Sequence, residues 1–256
     1  MSRPSPARMY DYFLGGTFNG PADRAAADQV LQIASELRDL AIANREFLKA
    51  AVRHVAGRGV GQFIDLGSGL PTQENVHEIA QAVTPDAVTV YVDNDPSVLA
   101  EAQQMIFGDP NTTYLQADAR DPHHILTHPD TVKMIDFTAP VCVLMVAVLH
   151  FVGDRDDPYG IVDRFMQDLA PGSHLILAHA TEEGMDPVLA KRLVPIAHNL
   201  PVPLTFRTEE QIRPFFNGLD ILTPPGIVDV GEWNATGEPG GKTYPMRSHC
   251  AVARKP

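Results

Sequence analysis

The chain has 256 residues, and its 20 Lys and Arg against 32 Asp and Glu give a formal net charge of −12. Such a negative field repels polyphosphates, so a broad nucleic-acid-binding surface is disfavoured. Hydrophobic residues make up 44% of the chain and charged residues 20%, which excludes a disordered protein. With two cysteines, no signal-peptide pattern and no apolar run long enough to cross a bilayer, we expect a cytoplasmic protein without a membrane partner.

The order of the predicted elements favours an α/β fold. Composition and apolar spacing predict an irregular arm over residues 1–21, a helix from Pro21 to about Leu37 and a second helix that ends near Gly57. Five apolar strands then alternate with helices, and two further strands follow late in the chain. The predicted strands are residues 62–66, 88–93, 112–117, 141–147, 174–179, 227–230 and 248–253. Alternation of this kind produces right-handed βαβ units, so we expect a largely parallel, Rossmann-like sheet with helices on both faces.

Polar motifs follow the first three predicted strands. Asp65 precedes the turn Gly67-Ser68-Gly69, whose glycines let the backbone approach a ligand at the start of the next helix. Asp93 ends the second strand, where an acid can accept the hydroxyls of a ribose. Asp118 ends the third, where its carboxylate can accept an adenine amino group and the Ala119 amide can donate to a ring nitrogen. Because these strand ends meet at one sheet edge, the motifs predict a nucleoside site.

The glycine turn does not match the dinucleotide fingerprint. In the pattern G-x-G-x-x-G the sixth position is glycine or alanine, but here it is Thr72. Pro71 also removes a backbone donor that a pyrophosphate would use. A nucleoside ligand without phosphate fits better, and S-adenosylmethionine is such a ligand. A nicotinamide-dependent oxidoreductase stays open as a weaker alternative.

Five short motifs carry a resemblance to a known superfamily. They are Asp65-Leu66-Gly67-Ser68-Gly69, Asp93-Asn94-Asp95-Pro96, Asp118-Ala119, Val148-Leu149-His150 and Leu169-Ala170-Pro171-Gly172-Ser173. In order and spacing, the chain resembles the class I S-adenosylmethionine-dependent methyltransferases. This resemblance implies S-adenosyl-L-methionine as the cofactor and a seven-stranded mixed sheet whose last strand is antiparallel.

A closer resemblance extends over nearly the whole chain. It rests on residues 7–16, 23–24, 44–45, 69–72 and 75–78, which read ARMYDYFLGG, DR, NR, GLPT and NVHE. These strings are similar to a bacterial S-adenosyl methyltransferase family formerly catalogued as a domain of unknown function. In that family a proline after the glycine turn is usual, so Pro71 departs only from the wider superfamily. The resemblance implies the fold and the cofactor but no particular substrate.

The resemblance also implies roles for the motif residues. Gly67, Ser68 and Gly69 are expected at the methionine end of the cofactor, and Asp65 at its ammonium group. Asp93 is expected to hold the ribose. The adenine is expected to contact Asn94, Asp118 and Ala119.

Two further residues are candidates for the site. His150, just after the fourth strand, is the best-placed general base if the acceptor must lose a proton, although a structural histidine in the core is the alternative. Tyr10, with Tyr12 and Phe13, lies in the arm before a Gly-Gly pair. This aromatic segment either covers the cofactor, with ring faces near the sulfonium, or anchors the arm to the core.

Two charged patterns have ordinary explanations. Arg45, Lys49 and Arg53 recur every four residues, which is typical of a solvated helix face, although it could also receive an acidic substrate. The group His123, His124 and His128, with Asp121 and Asp130, resembles a metal site, but the stretch is polar, lies between strands and has no pattern of residues that would orient the ligands, so we predict a surface segment and no bound metal.

We therefore predict an S-adenosylmethionine-dependent methyltransferase that acts on an unidentified small-molecule acceptor. The chain is expected to form one domain over residues 1–256. In it, residues 1–58 form a lid, residues 59–256 form the core, and an insertion over residues 184–207 caps the crevice. A module that binds the cofactor without catalysis is the main alternative. The sequence does not determine the oligomeric state.

Overall fold

The computed structural model describes residues 4–72, 74–198, 203–234, 236 and 241–256. Within this part of the chain, eight strands form one sheet in the order β3-β2-β1-β4-β5-β8-β6, and β7 also pairs with β8. The strands are β1 Gln62–Leu66, β2 Val88–Asp93, β3 Thr112–Gln116, β4 Cys142–Val146, β5 His174–Thr181, β6 Asp220–Ile221, β7 Val228–Asp229 and β8 Arg247–Arg254.

The direction of the strands confirms the predicted mixed α/β sheet. Strands β1 to β5 are mutually parallel, whereas β8 runs antiparallel between β5 and β6. The described strands number one more than predicted, because Asp220–Ile221 is too short to leave an apolar pattern in the sequence. Pairing of Asp65 with Tyr91 and of Asp93 with Gln116 brings the carboxyl ends of the first three strands to one edge.

Helices cover both faces of the sheet, as predicted. The described helices are α1 Pro6–Phe13, α2 Pro21–Ile33, α3 Leu37–Ala56, α4 Val76–Val83, α5 Leu99–Met105, α6 Pro122–Thr127, α7 Pro129–Met134, α8 Pro158–Gln167, α9 Pro187–His198 and α10 Glu209–Ile212. Helices α3, α4 and α9 bury apolar side chains on one face, and α6, α8 and α10 bury them on the other. No helix in the described ranges is long and apolar enough to cross a membrane.

The N-terminal region differs from the prediction. The expected irregular arm contains α1, which begins after Ser5, a residue whose hydroxyl accepts the backbone N–H of Arg8. Phe13 of this helix packs in a small apolar cluster with Ala27 and Ala41, so tertiary contacts stabilise a helix too short to be stable alone. Residues 1–3 of the predicted lid and residues 199–202 of the predicted insertion lie outside the described residues.

Candidate cofactor-binding site

The turn after β1 has a left-handed backbone conformation that favours glycine. Gly67 and Gly69 have φ values of +68° and +60°, in the left-handed region that costs most residues about 1 kcal/mol or more. A Cβ atom on Gly67 would lie 2.4 Å from Cγ2 of Val148, so the segment after β4 packs directly on the turn. The amides of Gly67 and Ser68 donate to the Val92 carbonyl at 2.8 and 3.1 Å. The turn is thus fixed between the ends of β2 and β4.

Asp93 connects this turn to the end of β2. The Gly69 amide donates to Asp93 Oδ2 at 2.8 Å, and the Asp95 amide donates to Oδ1 at 2.9 Å. Burial raises the pKa of the carboxyl, while these backbone hydrogen bonds oppose the shift. Because each carboxylate oxygen can accept two hydrogen bonds, both oxygens keep an acceptor site for a hydroxyl. The geometry suits the vicinal hydroxyls of a ribose.

Asp65 is a buried acid at the end of β1. Its residue is 7% exposed, and burial raises the pKa of the carboxyl to about 7, with Arg45 lowering it and Asp93 raising it further. A group with this pKa is about half ionised at neutral pH, and a cation placed beside it would drive it to the carboxylate. Asp65 therefore suits the ammonium group that the sequence assigned to it.

The adenine motif after β3 is only partly available. The Arg120 guanidinium donates to both carboxylate oxygens of Asp118, with distances down to 2.6 Å, and holds the pKa of that carboxyl below its ordinary value. Arg120 also lies 3.6 Å from Asp156. This pairing, which the sequence did not predict, leaves Asp118 fewer free lone pairs. The Ala119 amide donates to no described residue, and Asn94 is exposed at the rim.

Helix α1 lies against the glycine turn. A Cβ atom added to Gly69 would lie 3.4 Å from the Cβ atom of Ala7. Ser5 Oγ donates to Asp95 Oδ2 at 2.5 Å, and the Arg8 guanidinium donates to Glu101 at 2.8 Å. These contacts hold the N-terminal helix against the glycine turn, next to the acid motif of β2.

Tyr10 anchors this helix to α3. Its hydroxyl donates to the Ala41 carbonyl at 3.2 Å, and burial raises its pKa, with Arg45 lowering it. The contact supports the anchoring interpretation of the aromatic segment. It is compatible with a lid, because the ring lies within electrostatic reach of the same Arg45 that acts on Asp65.

His150 occupies a nonpolar and cationic environment. It lies in a 3-10 turn, Leu149–Phe151, with ring centroids 4.5 Å from Phe151 and 5.9 Å from His179. Burial, with the charges of His179 and Arg207, lowers its pKa to about 3. The imidazole is therefore neutral at physiological pH and is a weak base, so this environment does not favour the predicted role in proton removal.

Arg207, which the sequence did not single out, ties the predicted insertion to the segment after β4. The residue is 2% exposed and donates to His179 Nε2 at 2.7 Å, Asp154 Oδ1 at 2.6 Å and the Val152 carbonyl at 3.0 Å. His179 Nδ1 donates to the Ala180 carbonyl at 2.8 Å, which leaves Nε2 as the acceptor. No local pattern marks Arg207, because its partners come from distant parts of the chain.

The basic row on α3 is mostly paired. Lys49 donates to Glu46 at 2.8 Å and forms an ion pair with Glu74, and Arg53 lies 3.9 Å from Glu74. The Arg45 guanidinium has no hydrogen bond and no ion pair with a described residue. Two of the three cations thus belong to a helix face with acidic partners.

The histidine-rich segment forms α6 and α7. His128 Nδ1 accepts the Asp130 amide at 3.2 Å, so this side chain caps α7. Across the described ranges, no group of three or more His, Cys, Asp or Glu side chains is arranged to hold a metal ion.

Comparison with known proteins agrees with this geometry. A family model for S-adenosyl methyltransferases matches residues 1–256. A DUF574 family protein from Streptomyces avermitilis is 39% identical, with a TM-score of 0.90 over 99% of this chain and 98% of that one. A candidate methyltransferase from Thermobifida fusca is 38% identical, with a TM-score of 0.88 over 99% and 95% of the two chains.

A more distant neighbour shows the fold alone. The N-methyltransferase NodS from Bradyrhizobium japonicum is 15% identical, with a TM-score of 0.51 over 84% of this chain and 97% of that chain. No curated protein matches the chain. The full-length family match confirms the resemblance seen in the motifs and decides against a nicotinamide-dependent oxidoreductase. The chain belongs to the S-adenosyl methyltransferase family, and S-adenosylmethionine is its cofactor.

Proposed function

We propose that the chain transfers a methyl group to a small-molecule acceptor at the crevice formed by the ends of β1, β2 and β4. The observation that carries this proposal is the position of Asp93, which joins the glycine turn to β2 and keeps acceptor capacity on both oxygens. When bound, S-adenosylmethionine supplies an electrophilic methyl group on a sulfonium. The residues of the chain bind and orient the two reactants.

The roles of the binding residues follow from their surroundings. Asp93 accepts the ribose hydroxyls, and Asp65 accepts the ammonium group. Gly67, Ser68 and Gly69 line the methionine end, where a Cβ at Gly67 would clash. At the adenine end, the free Ala119 amide donates a hydrogen bond and the remaining lone pairs of Asp118 accept one. The exposed side chain of Asn94 lies beside the ring.

An open surface depression beside the segment after β4 is the candidate place for a small acceptor. The depression measures about 590 Å³, and its lining includes Phe151, Thr205 and Arg120. This volume is within the usual range for small-molecule sites. The Thr205 amide donates to the His150 carbonyl at 2.8 Å, so the insertion borders the depression beside the segment after β4. The net charge of −12 disfavours a nucleic-acid partner, and two buried free thiols fit the reducing environment of the cytoplasm.

The proposed mechanism relies on positioning. In-line displacement at a methyl carbon gains much of its rate from alignment of the two reactants, so no catalytic triad is required. His150 is neutral and weakly basic, since burial lowers its pKa to about 3, and it removes no proton in this mechanism. We instead assign its ring to the wall of the crevice beside Phe151.

Incubation of the protein with methyl-labelled cofactor and a bacterial extract tests this function. We expect the label to enter the small-molecule fraction, and fractionation followed by mass spectrometry identifies the product. The Asp93→Ala variant should bind the cofactor at least about tenfold more weakly, since it loses hydrogen bonds between a charged group and the ribose. Label in protein or nucleic acid would contradict the small-molecule acceptor. Binding without transfer to any fraction would indicate a non-catalytic module.

A further inference from the structure

Arg45 is a half-buried cation that forms no hydrogen bond or ion pair with a described residue, although its charge acts on the nearby acids Asp65 and Glu74. Lys49 and Arg53 on the same helix contact Glu46 and Glu74, whereas the Arg45 guanidinium forms no such hydrogen bond or ion pair. A guanidinium has five N–H donors in a planar fork. Withdrawing such a group from water without partners is unfavourable, so an unpaired, half-buried arginine suggests a site for a ligand.

The surroundings of Arg45 belong to the cofactor site. Its charge acts on Asp65 at the end of β1, on Tyr91 of β2 and on Tyr10 of α1. Tyr10 is hydrogen-bonded to Ala41, which lies one helical turn before Arg45 on α3. Because Ala7 of α1 also lies next to Gly69, α1 connects the part of α3 that carries Arg45 to the glycine turn, where the methionine end is expected.

The charges of this pocket complement an α-amino acid. Such a group carries an ammonium and a carboxylate on one carbon, and the site offers one acid, Asp65, and one unpaired base, Arg45. With Asp93 included, the three side chains sum to one negative charge when ionised, which balances the single net positive charge of a sulfonium-bearing amino acid. Arginine also matches a carboxylate with two parallel hydrogen bonds.

Building on the proposed function, we infer that Arg45 binds the α-carboxylate of S-adenosylmethionine while Asp65 binds its ammonium group. Together, Arg45 and Asp65 bind the amino-acid end of the cofactor. This contact is separate from the contact of Asp93 with the ribose. Arg45 is thereby a cofactor-binding residue and not a receptor for an acidic methyl acceptor.

Calorimetry with two ligands that differ only in the carboxylate tests this assignment. The probes are S-adenosylmethionine and decarboxylated S-adenosylmethionine. For Arg45→Gln we expect affinity for the first to fall roughly 10- to 100-fold, as for loss of hydrogen bonds between charged groups, with affinity for the second unchanged. Arg45→Lys keeps the charge but loses the fork, so we expect a smaller loss that is again confined to the carboxylate-bearing ligand.

Arg53→Gln is the matched control, because it removes the same charge two turns later on α3 and should leave both affinities as in the wild type. Equal losses for both ligands in the Arg45 variants, or unchanged affinity for S-adenosylmethionine, would overturn the assignment. Wild-type protein that binds neither ligand would overturn the proposed function, and this inference with it. The inference alone would be overturned if the wild type binds both ligands and Arg45→Gln changes the two affinities by the same factor.

Discussion

Replacement of Asp65 by Asn is expected to stabilise the cofactor-free protein at high pH and to weaken cofactor binding. The wild-type carboxyl is buried at the end of β1, where burial raises its pKa to about 7 from an ordinary 3.8. Ionising this group inside the fold is therefore unfavourable until a cation arrives. Asparagine keeps the shape but has no charge to bury, and it cannot form an ion pair with an ammonium group.

The size of the effect follows from the two pKa values. A difference of about 3 pKa units corresponds to about 4 kcal/mol between the protonated and ionised forms. Because the folded protein binds this proton more tightly than the unfolded chain, wild-type stability falls as pH rises from about 4 to about 7 and then levels off. Between about pH 5.5 and about pH 8, the expected loss from this one group is about 2 kcal/mol.

Urea unfolding of both proteins without cofactor, at about pH 5.5 and about pH 8, measures this loss. The free energy of unfolding of Asp65→Asn minus that of the wild type should increase by about 2 kcal/mol over this interval. Asp118→Asn is the control, because Arg120 lowers the pKa of Asp118 from the ordinary 3.8, so the contribution of this carboxyl to stability stays constant between about pH 5.5 and about pH 8. Calorimetry in parallel should show weaker cofactor binding by Asp65→Asn.

A difference between Asp65→Asn and wild type that stays constant with pH would refute the reasoning. It would mean that Asp65 is ionised in the folded protein throughout this range, with a partner already in place. A variant that binds the cofactor as tightly as the wild type would separately refute the ammonium assignment.

The remaining predictions concern the backbone of the turn and the contact of the insertion. Gly67→Ala should lower the free energy of unfolding by about 2 kcal/mol or more, since it adds a clash to the left-handed φ, whereas Gly218→Ala, with open space around it, should lose only about 1 kcal/mol. Urea unfolding of the two variants gives both values, and equal losses would argue against the clash. Arg207→Met should lose about 2 to 4 kcal/mol, since it leaves buried carbonyls without a donor. It should also raise the pKa of His179, which burial and then the charge of Arg207 lower to about 4, because the variant removes that charge. Titration of the imidazole by NMR checks the shift, and an unchanged pKa would contradict the assigned contact.

Local sequence patterns were sufficient to predict the order of strands and helices and the identity of the cofactor. Apolar runs located β1 to β5, and short motifs located Gly67, Asp93 and Asp118 at adjacent strand ends. These features are predictable because a buried strand and a glycine turn are encoded by neighbouring residues. The same local encoding explains why the family resemblance was visible before the fold was known.

Tertiary structure alone decided the charge state and partners of the site. Arg207 donates to Asp154, which is distant in sequence, and Arg120 donates to the carboxylate of Asp118. Arg45 forms no hydrogen bond or ion pair with a described residue, whereas Lys49 and Arg53 on the same helix pair with acids. Helix α1 forms where an irregular arm was expected, because its stability depends on packing against distant helices. The net charge of −12 disfavoured a nucleic-acid partner but gave no information about the site. Burial and long-range contacts, which no local pattern encodes, determine which acids are poised to bind a ligand.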